Sequence, residues 1–340
     1  MRRSISGAAF AVALAAALPA HASLVLTAAG VSDGFTLTTF LSGYFANYGP
    51  LAQGIAPNGD VITGSLLNTS GAGGPSIMVF KDVDNQKLTD ALFSPAYSCI
   101  TGNCNYAMTT AGGQVYGAQA QGGIYEHFNS DGTFTPIPNL EADGLRDNLG
   151  MWGDPVNGDI ITTSNEGLVE INPVAGTFRV INGSVNGDGV SVSPDGTVAY
   201  VEVGGAINAY NIATGALLKT YAAGAAPDGT GVISGGKLNG DVIVNGNFGT
   251  VGLLDPTTSS FTIIATGGTR GDFVSPDTSN GTLFLSQNEA VDRLSCGPGC
   301  SFSGPTVPEP ATYALFGAAF TSLILACRRN RKIGVQRRKG

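Results

Sequence analysis

The chain has 340 residues, 50 of them Gly, and its 25 acidic and 17 basic residues leave a formal net charge of −8. Charged residues make up only 12% against 43% hydrophobic, which excludes a disordered polyelectrolyte. So much Gly argues against a helical bundle, because each costs about 1 kcal/mol in a helix relative to Ala, and the absence of several apolar runs of about 20 residues excludes a polytopic membrane protein.

Residues 1–22 read as a secretory signal peptide: Arg2 and Arg3, an apolar stretch from Ala8 to Leu18, then Ala20-His21-Ala22, with small residues where signal peptidase cuts. Its removal takes His21 and leaves His127 as the one histidine of the mature chain. Residues 23–306 hold 24 acidic and 8 basic residues, a net of −16. Nucleic acid is therefore excluded as a partner, since its binding rests on basic neutralisation of phosphate.

Within this region a unit of about 42 residues recurs, a period that signals a propeller or solenoid. Its clearest copy starts at Asp188 and reads as four strands: Gly189 to Ser193, Thr197 to Val203, Ala206 to Asn211 and Leu217 to Tyr221, separated by Asp195-Gly196, Gly204-Gly205 and Thr214-Gly215. The first turn recurs at Gly59, Gly113, Gly158, Gly196, Gly240 and Gly281, with spacings of 54, 45, 38, 44 and 41. The third recurs at Asn172-Pro173 and Asp255-Pro256. After Asp272 the chain supplies three strands and stops, while Gly34 to Phe40 resembles the outer strand around Phe261 and precedes the first inner strand. One end thus completes the blade begun by the other, giving an all-β, six-bladed propeller with six outer strands and no open edge.

Four Cys lie in the exported region. Local pairing, Cys99–Cys104 and Cys296–Cys300, is favoured because each pair closes a short loop in an oxidising compartment. A zinc site would need the two distant pairs to converge, and neither has the usual two-residue spacing.

Residues 307–340 form a separate unit. Val307-Pro308-Glu309-Pro310 precedes an apolar segment, 311–327, and a basic tail, 328–340, which the positive-inside bias places in the cytoplasm. This tail resembles the PEP-CTERM sorting signal of Gram-negative, exopolysaccharide-producing bacteria. The resemblance implies a transient transmembrane anchor, recognition by an exosortase through Pro308, Glu309 and Pro310, and delivery to the cell surface or extracellular matrix, with an exopolysaccharide or surface protein as partner.

The core resembles the six-bladed propellers of the gluconolactonase and NHL type. The residues that carry this are Gly189-Val190-Ser191-Val192-Ser193-Pro194-Asp195-Gly196, Asp255-Pro256-Thr257-Thr258 and the run from Arg270 to Gln287. Asp147, Asp188, Asp228 and Asp272 precede or open inner strands at intervals of 41, 40 and 44, so four carboxylates can ring one mouth of the channel, with Arg146, Asn148 and Arg270 beside them. Oxygen ligands suit Ca²⁺ or Mg²⁺, and the resemblance implies a divalent cation there acting as a Lewis acid. The other reading makes each Asp a local turn cap, copied from blade to blade. The first blade offers Leu51-Ala52-Gln53-Gly54 where the lactonase pattern has a Glu ligand.

Other candidates carry less. His127 falls on an exposed third strand without a matched nucleophile, Trp152 reads as core, and Arg270-Gly271-Asp272 as the start of a blade. Two functions follow: a non-catalytic binding or structural propeller of the cell surface, or a metal-dependent hydrolase or lyase with its site in the channel.

Overall fold

A computed structural model describes residues 23–44, 49–65, 76–96, 105–119, 123–146, 149–224 and 226–302. The signal peptide, Cys99, Cys104, Asp147, Asn148 and the sorting tail lie outside the described residues.

Six sheets, blades 1 to 6 in chain order and antiparallel but for one short edge pairing, meet in a ring through their inner strands. These are Pro50–Ile55, Asn105–Ala111, Met151–Gly153, Val190–Val192, Pro227–Val232 and Gly271–Pro276. Inner and second strands are buried on both faces, and so read as continuous runs of small and apolar residues, as in Ile160–Ser164. Outer strands such as Thr177–Asn182 face solvent on one side.

The turns form where glycine is needed. Gly59, Gly113, Gly158, Gly196, Gly240 and Gly281 all have φ between 71° and 89°, the left-handed region that a side chain disfavours. Between third and outer strands, Asn172, Asn211 and Asp255 accept hydrogen bonds from the N–H groups of Ala175, Thr214 and Thr257 at 2.7–2.8 Å.

Ring closure follows the reading of the termini. Thr36–Ser42 pairs antiparallel with Ala290–Ser295 and supplies the fourth strand of blade 6. Two features were not read from the sequence. Val25–Leu26 adds a fifth strand to blade 5 through Thr266 and Ala265, and a six-residue helix, Ala28–Asp33, links it to the closing strand.

The expectation of six outer strands requires a correction. Among the described residues blade 1 has three strands, and Phe93 meets its edge only through a bridge to Val79. The segment that would finish blade 1 is drawn onto blade 6 instead. Arg293 binds Asp82 and lies 3.0 Å from Asp84, the Asn85 N–H donates to Thr39 O (2.8 Å), and Gln86–Lys87 runs parallel to Leu41 and Ser42. Cys296–Cys300 is bonded, with Cα atoms 5.6 Å apart. His127 is half-buried rather than exposed, its Nε2 sharing a hydrogen bond with Gln114 Oε1 (3.1 Å). Trp152 is core.

Apolar clusters fill the spaces between blades. The largest joins Trp152, Val201, Ile243 and Leu285 from blades 3 to 6 with Phe302 near the C-terminal end. Each fully buried aliphatic side chain contributes about 1.5–3 kcal/mol. Near the axis, packing is set by backbone: a Cβ on Gly150, Gly189 or Gly229 would stand 2.6, 2.4 or 2.5 Å from the carbonyl oxygen of Asp188, Asp228 or Asp272 in the next blade. The waist of the channel retains only about 10 Å³ between side chains that include Met108, Met151 and Phe273, room for about one water.

Gly189→Ala is expected to force blades 4 and 5 apart and to cost about 1–3 kcal/mol. Gly183→Ala, whose Cβ meets nothing closer than 3.6 Å, is expected to stay within about 0.5 kcal/mol of the parent, both variants being read by urea titration.

Candidate functional site

Inner strands run from one mouth of the channel to the other, so their first residues share a face. Asp228 and Asp272 are the second residues of their inner strands, and Asp188 lies two residues before Val190. The structure brings these three carboxyls together. Asp228 and Asp272 are each 3% exposed, and Asp188 is half-buried.

Asp147 lies outside the described residues. Gly150 approaches the Asp188 carbonyl as Gly189 approaches Asp228 and Gly229 approaches Asp272. The position before each of these glycines is Asp in blades 4 and 5 and Leu149 in blade 3.

Arg270 supplies the cation. Its Nη1 binds Asp272 Oδ2, and its Nη2 lies 3.7 Å from Asp228 Oδ2. Two further residues come from the connections between second and third strands: Asn247, in the turn after Val242–Gly246, whose side chain hydrogen-bonds Asp228, and Glu202, near the end of the second strand Val198–Val203, whose Oε1 accepts the Gly205 N–H (2.6 Å). Sequence reading missed both. Their signal was a polar residue beside a Gly-containing turn, in Glu202-Val203-Gly204 and Asn247-Phe248-Gly249, recognisable only once the register places those turns at the mouth. Phe248, next to Asn247, is 73% exposed.

Three acids share one base, and the electrostatics follow. Burial pushes Asp188 up to about 7, with the charges of Asp272 and Glu202 adding to it and Arg270 opposing. Burial also holds Asp228 well above the ordinary carboxylate value, reinforced by Asp272 and Asp188. Asp272 is pushed up to about 6 by burial, against the pull of Arg270 and the Phe273 N–H.

Hydrogen bonding separates Asp188 and Asp228 from turn caps. Asp154, Asp195 and Asp277 cap the inner hairpins, accepting from the N–H groups of Val156, Thr197 and Ser279. Asp188 Oδ1, Asp228 Oδ1 and Asn247 Oδ1 are buried and accept no hydrogen bond from another protein group. A buried acceptor left unpaired costs about 1–3 kcal/mol.

The same residues do not fit a divalent cation. Among the described residues no group of three or more His, Cys, Asp or Glu is placed to hold a metal ion, and the Arg270 guanidinium already lies against Asp272 and Asp228. Nor does blade 1 offer a carboxylate: Gln53 Nε2 donates to Ser286 Oγ (3.2 Å), and its N–H to Ser275 Oγ (3.1 Å).

The opposite mouth differs in chemistry. A cavity of about 500 Å³ opens there among the inner hairpins, lined by Trp152, Asp154, Asn157, Thr278 and Phe302 among others. Its one carboxyl, Asp154, already accepts the Val156 N–H.

With the geometry in place, likeness to known structures can be stated. No family model matches the sequence, and no curated protein matches it significantly. Solved structures do. An auxiliary nutrient binding protein from Bacteroides ovatus is similar with a TM-score of 0.54 at 15% identity, over 77% of this chain and 76% of its own. A gluconolactonase from Xanthomonas campestris is similar with a TM-score of 0.53 at 15% identity, over 79% of this chain and 93% of its own. An auxiliary nutrient binding protein from Bacteroides thetaiotaomicron gives 0.51 at 10% identity, over 77% and 76%. The shared feature is the fold: a six-bladed propeller like that of the gluconolactonase.

The mouth makes stability pH-dependent with a definite sign. Folded-state values near 6 and 7 lie above the unfolded carboxylate value of about 3.9. The folded chain therefore binds more protons between those limits, and the contribution, full below about pH 4, is lost as pH rises through about 7. Asp188→Asn is expected to raise the melting temperature at pH 7.5 by about 2 °C or more and to flatten its fall between pH 5 and 7.5, as read by calorimetry at both ends of the range.

Proposed function

We propose that the processed chain is an exported, non-catalytic propeller of the cell surface or extracellular matrix that binds hydroxyl-rich glycans at its acid-lined mouth. The observation that carries this reading is the set of unpaired buried acceptors, Asp188 Oδ1, Asp228 Oδ1 and Asn247 Oδ1. Sugar hydroxyls donate to such atoms, and Arg270 adds a donor fork for ring and hydroxyl oxygens. Phe248 stands exposed on the adjoining turn and offers a face for the apolar side of a sugar ring. Two structures of similar fold are nutrient binding proteins, which accords with a binding role.

The sorting tail gives the address. In this reading signal peptidase removes residues 1–22, and an exosortase recognises Pro308, Glu309 and Pro310 before release to the surface. Ser301 pairs with Ser234, and the Phe302 N–H donates to Gly281 O, so the described chain ends at the hairpin face. A tail held at a membrane then turns the acidic mouth outward.

The competing reading is a hydrolase with a channel metal, in line with the likeness to a gluconolactonase. An array of bacterial surface glycans probed with the processed protein separates the two. Retention that falls about tenfold in Phe248→Ala and in Asp188→Asn, with little change in melting temperature for Phe248→Ala, is the expected result. Saturable Ca²⁺ or Mg²⁺ uptake in calorimetry, lost in Asp188→Ala, with no glycan retained, would establish the metal site instead.

A further inference from the structure

A second acid-lined cavity lies where the N-terminal segment meets blade 6. It has a volume of about 300 Å³ and is lined by Ser23, Thr39, Asn85, Gln287, Glu289 and Asp292 among others. Asp292 is 3% exposed. Its carboxyl accepts from Thr39 Oγ1 at 3.0 Å and from the Leu24 N–H, and among the described residues no cationic side chain pairs with it. A carboxylate buried so deeply without a cation costs several kcal/mol. Burial accordingly pushes the Asp292 carboxyl up to about 6.

The position of the chain names the missing cation. Leu24 is 6% exposed and packed in the main apolar cluster, so the segment is fixed just beyond Ser23. The sequence places the signal-peptidase cut between Ala22 and Ser23. Hydrolysis there adds water across the peptide bond: Ala22 leaves with a carboxylate, and the Ser23 nitrogen becomes a primary amine that takes up a proton.

We propose that this new α-ammonium group of Ser23 is held in the cavity against the carboxylates of Asp292 and Glu289, so that processing supplies the charge the junction between blades 5 and 6 lacks. The precursor has a neutral amide at that nitrogen and leaves Asp292 uncompensated. Maturation thereby tightens the fold at the point where the N-terminal strands of both blades begin. The inference depends on export but is independent of any ligand at the channel mouth.

The test uses full-length protein exported and processed in cells. Mass spectrometry of the N-terminal peptide is expected to find Ser23 first; any other N-terminus overturns the proposal and counts against the export reading as well. The second readout is periodate, which cleaves an N-terminal serine through its free amine. In the folded protein, oxidation of Ser23 is expected to be at least about tenfold slower than after unfolding in urea. Asp292→Asn and, separately, Glu289→Gln are expected to restore most of the lost rate. If Asp292→Asn does not fold, Glu289→Gln decides. Oxidation as fast in the folded as in the unfolded protein, or protection that survives the substitutions, overturns the ion pair while leaving the export reading intact.

Discussion

The pairing of Thr36–Ser42 with Ala290–Ser295 is the constraint on which the ring depends. Without it, blade 6 would end in the exposed edge of Ala290–Ser295, and blades 6 and 1 would have no covalent reason to stay adjacent. The contact joins segments about 250 residues apart, so its loop-closure entropy must be recovered from many weak contacts formed together. Several devices converge on that seam. The helix Ala28–Asp33, capped by Thr27 and ended at Gly34 with φ of 91°, directs the chain from blade 5 into blade 6. Arg293, on the strand that Thr36–Ser42 pairs with, lies over the rings of Phe40 and Phe284 and gathers Asp82, Asp84 and Asp277. One buried guanidinium thus binds the closing strand, the blade it closes and the segment leaving blade 1.

That same arginine explains why blade 1 departs from the repeat. A segment rich in Asp, following Phe80, meets a buried cation on the neighbouring blade before it can return along its own. The ion pairs and the short parallel pairing at Gln86–Lys87 take the chain outward, and Phe93 rejoins blade 1 only at one bridge. Periodicity in sequence reports which residues can make a blade. It does not report competition between blades for one segment.

Legibility divided along the same line. Turn glycines, strand alternation and the split blade were readable because they are local, or because they count strands. The three convergent carboxyls were readable in part, since Asp188, Asp228 and Asp272 recur at the start of inner strands. Their hydrogen-bonding state was not: whether an Asp caps its own turn or points unpaired into the channel is decided by the opposite turns, through Asn247 and Glu202. The backbone approach of Gly150 to the Asp188 carbonyl likewise appears only in three dimensions. Asp292 gave no sequence signal at all, because its isolation follows from a cavity assembled by three separated segments.

The acidic mouth is costly by any account of folding alone. Two carboxyls of 3% exposure and a third half-buried face one guanidinium, and apolar residues of similar volume at such sites are often neutral or stabilising by about 1–4 kcal/mol. The ring does not need these groups for closure, since the glycine–carbonyl contacts that set the axis use the Asp backbone and not the side chains. Nor do they line a wide channel, because the space among the inner strands beside them is about 10 Å³. A group that burdens the fold, leaves acceptors without a protein donor and sits on the face opposite the C-terminal segment is what the proposed glycan-binding reading accounts for: in that reading the ligand brings donors rather than another anion, and Arg270 restricts how far a simple cation could take their place.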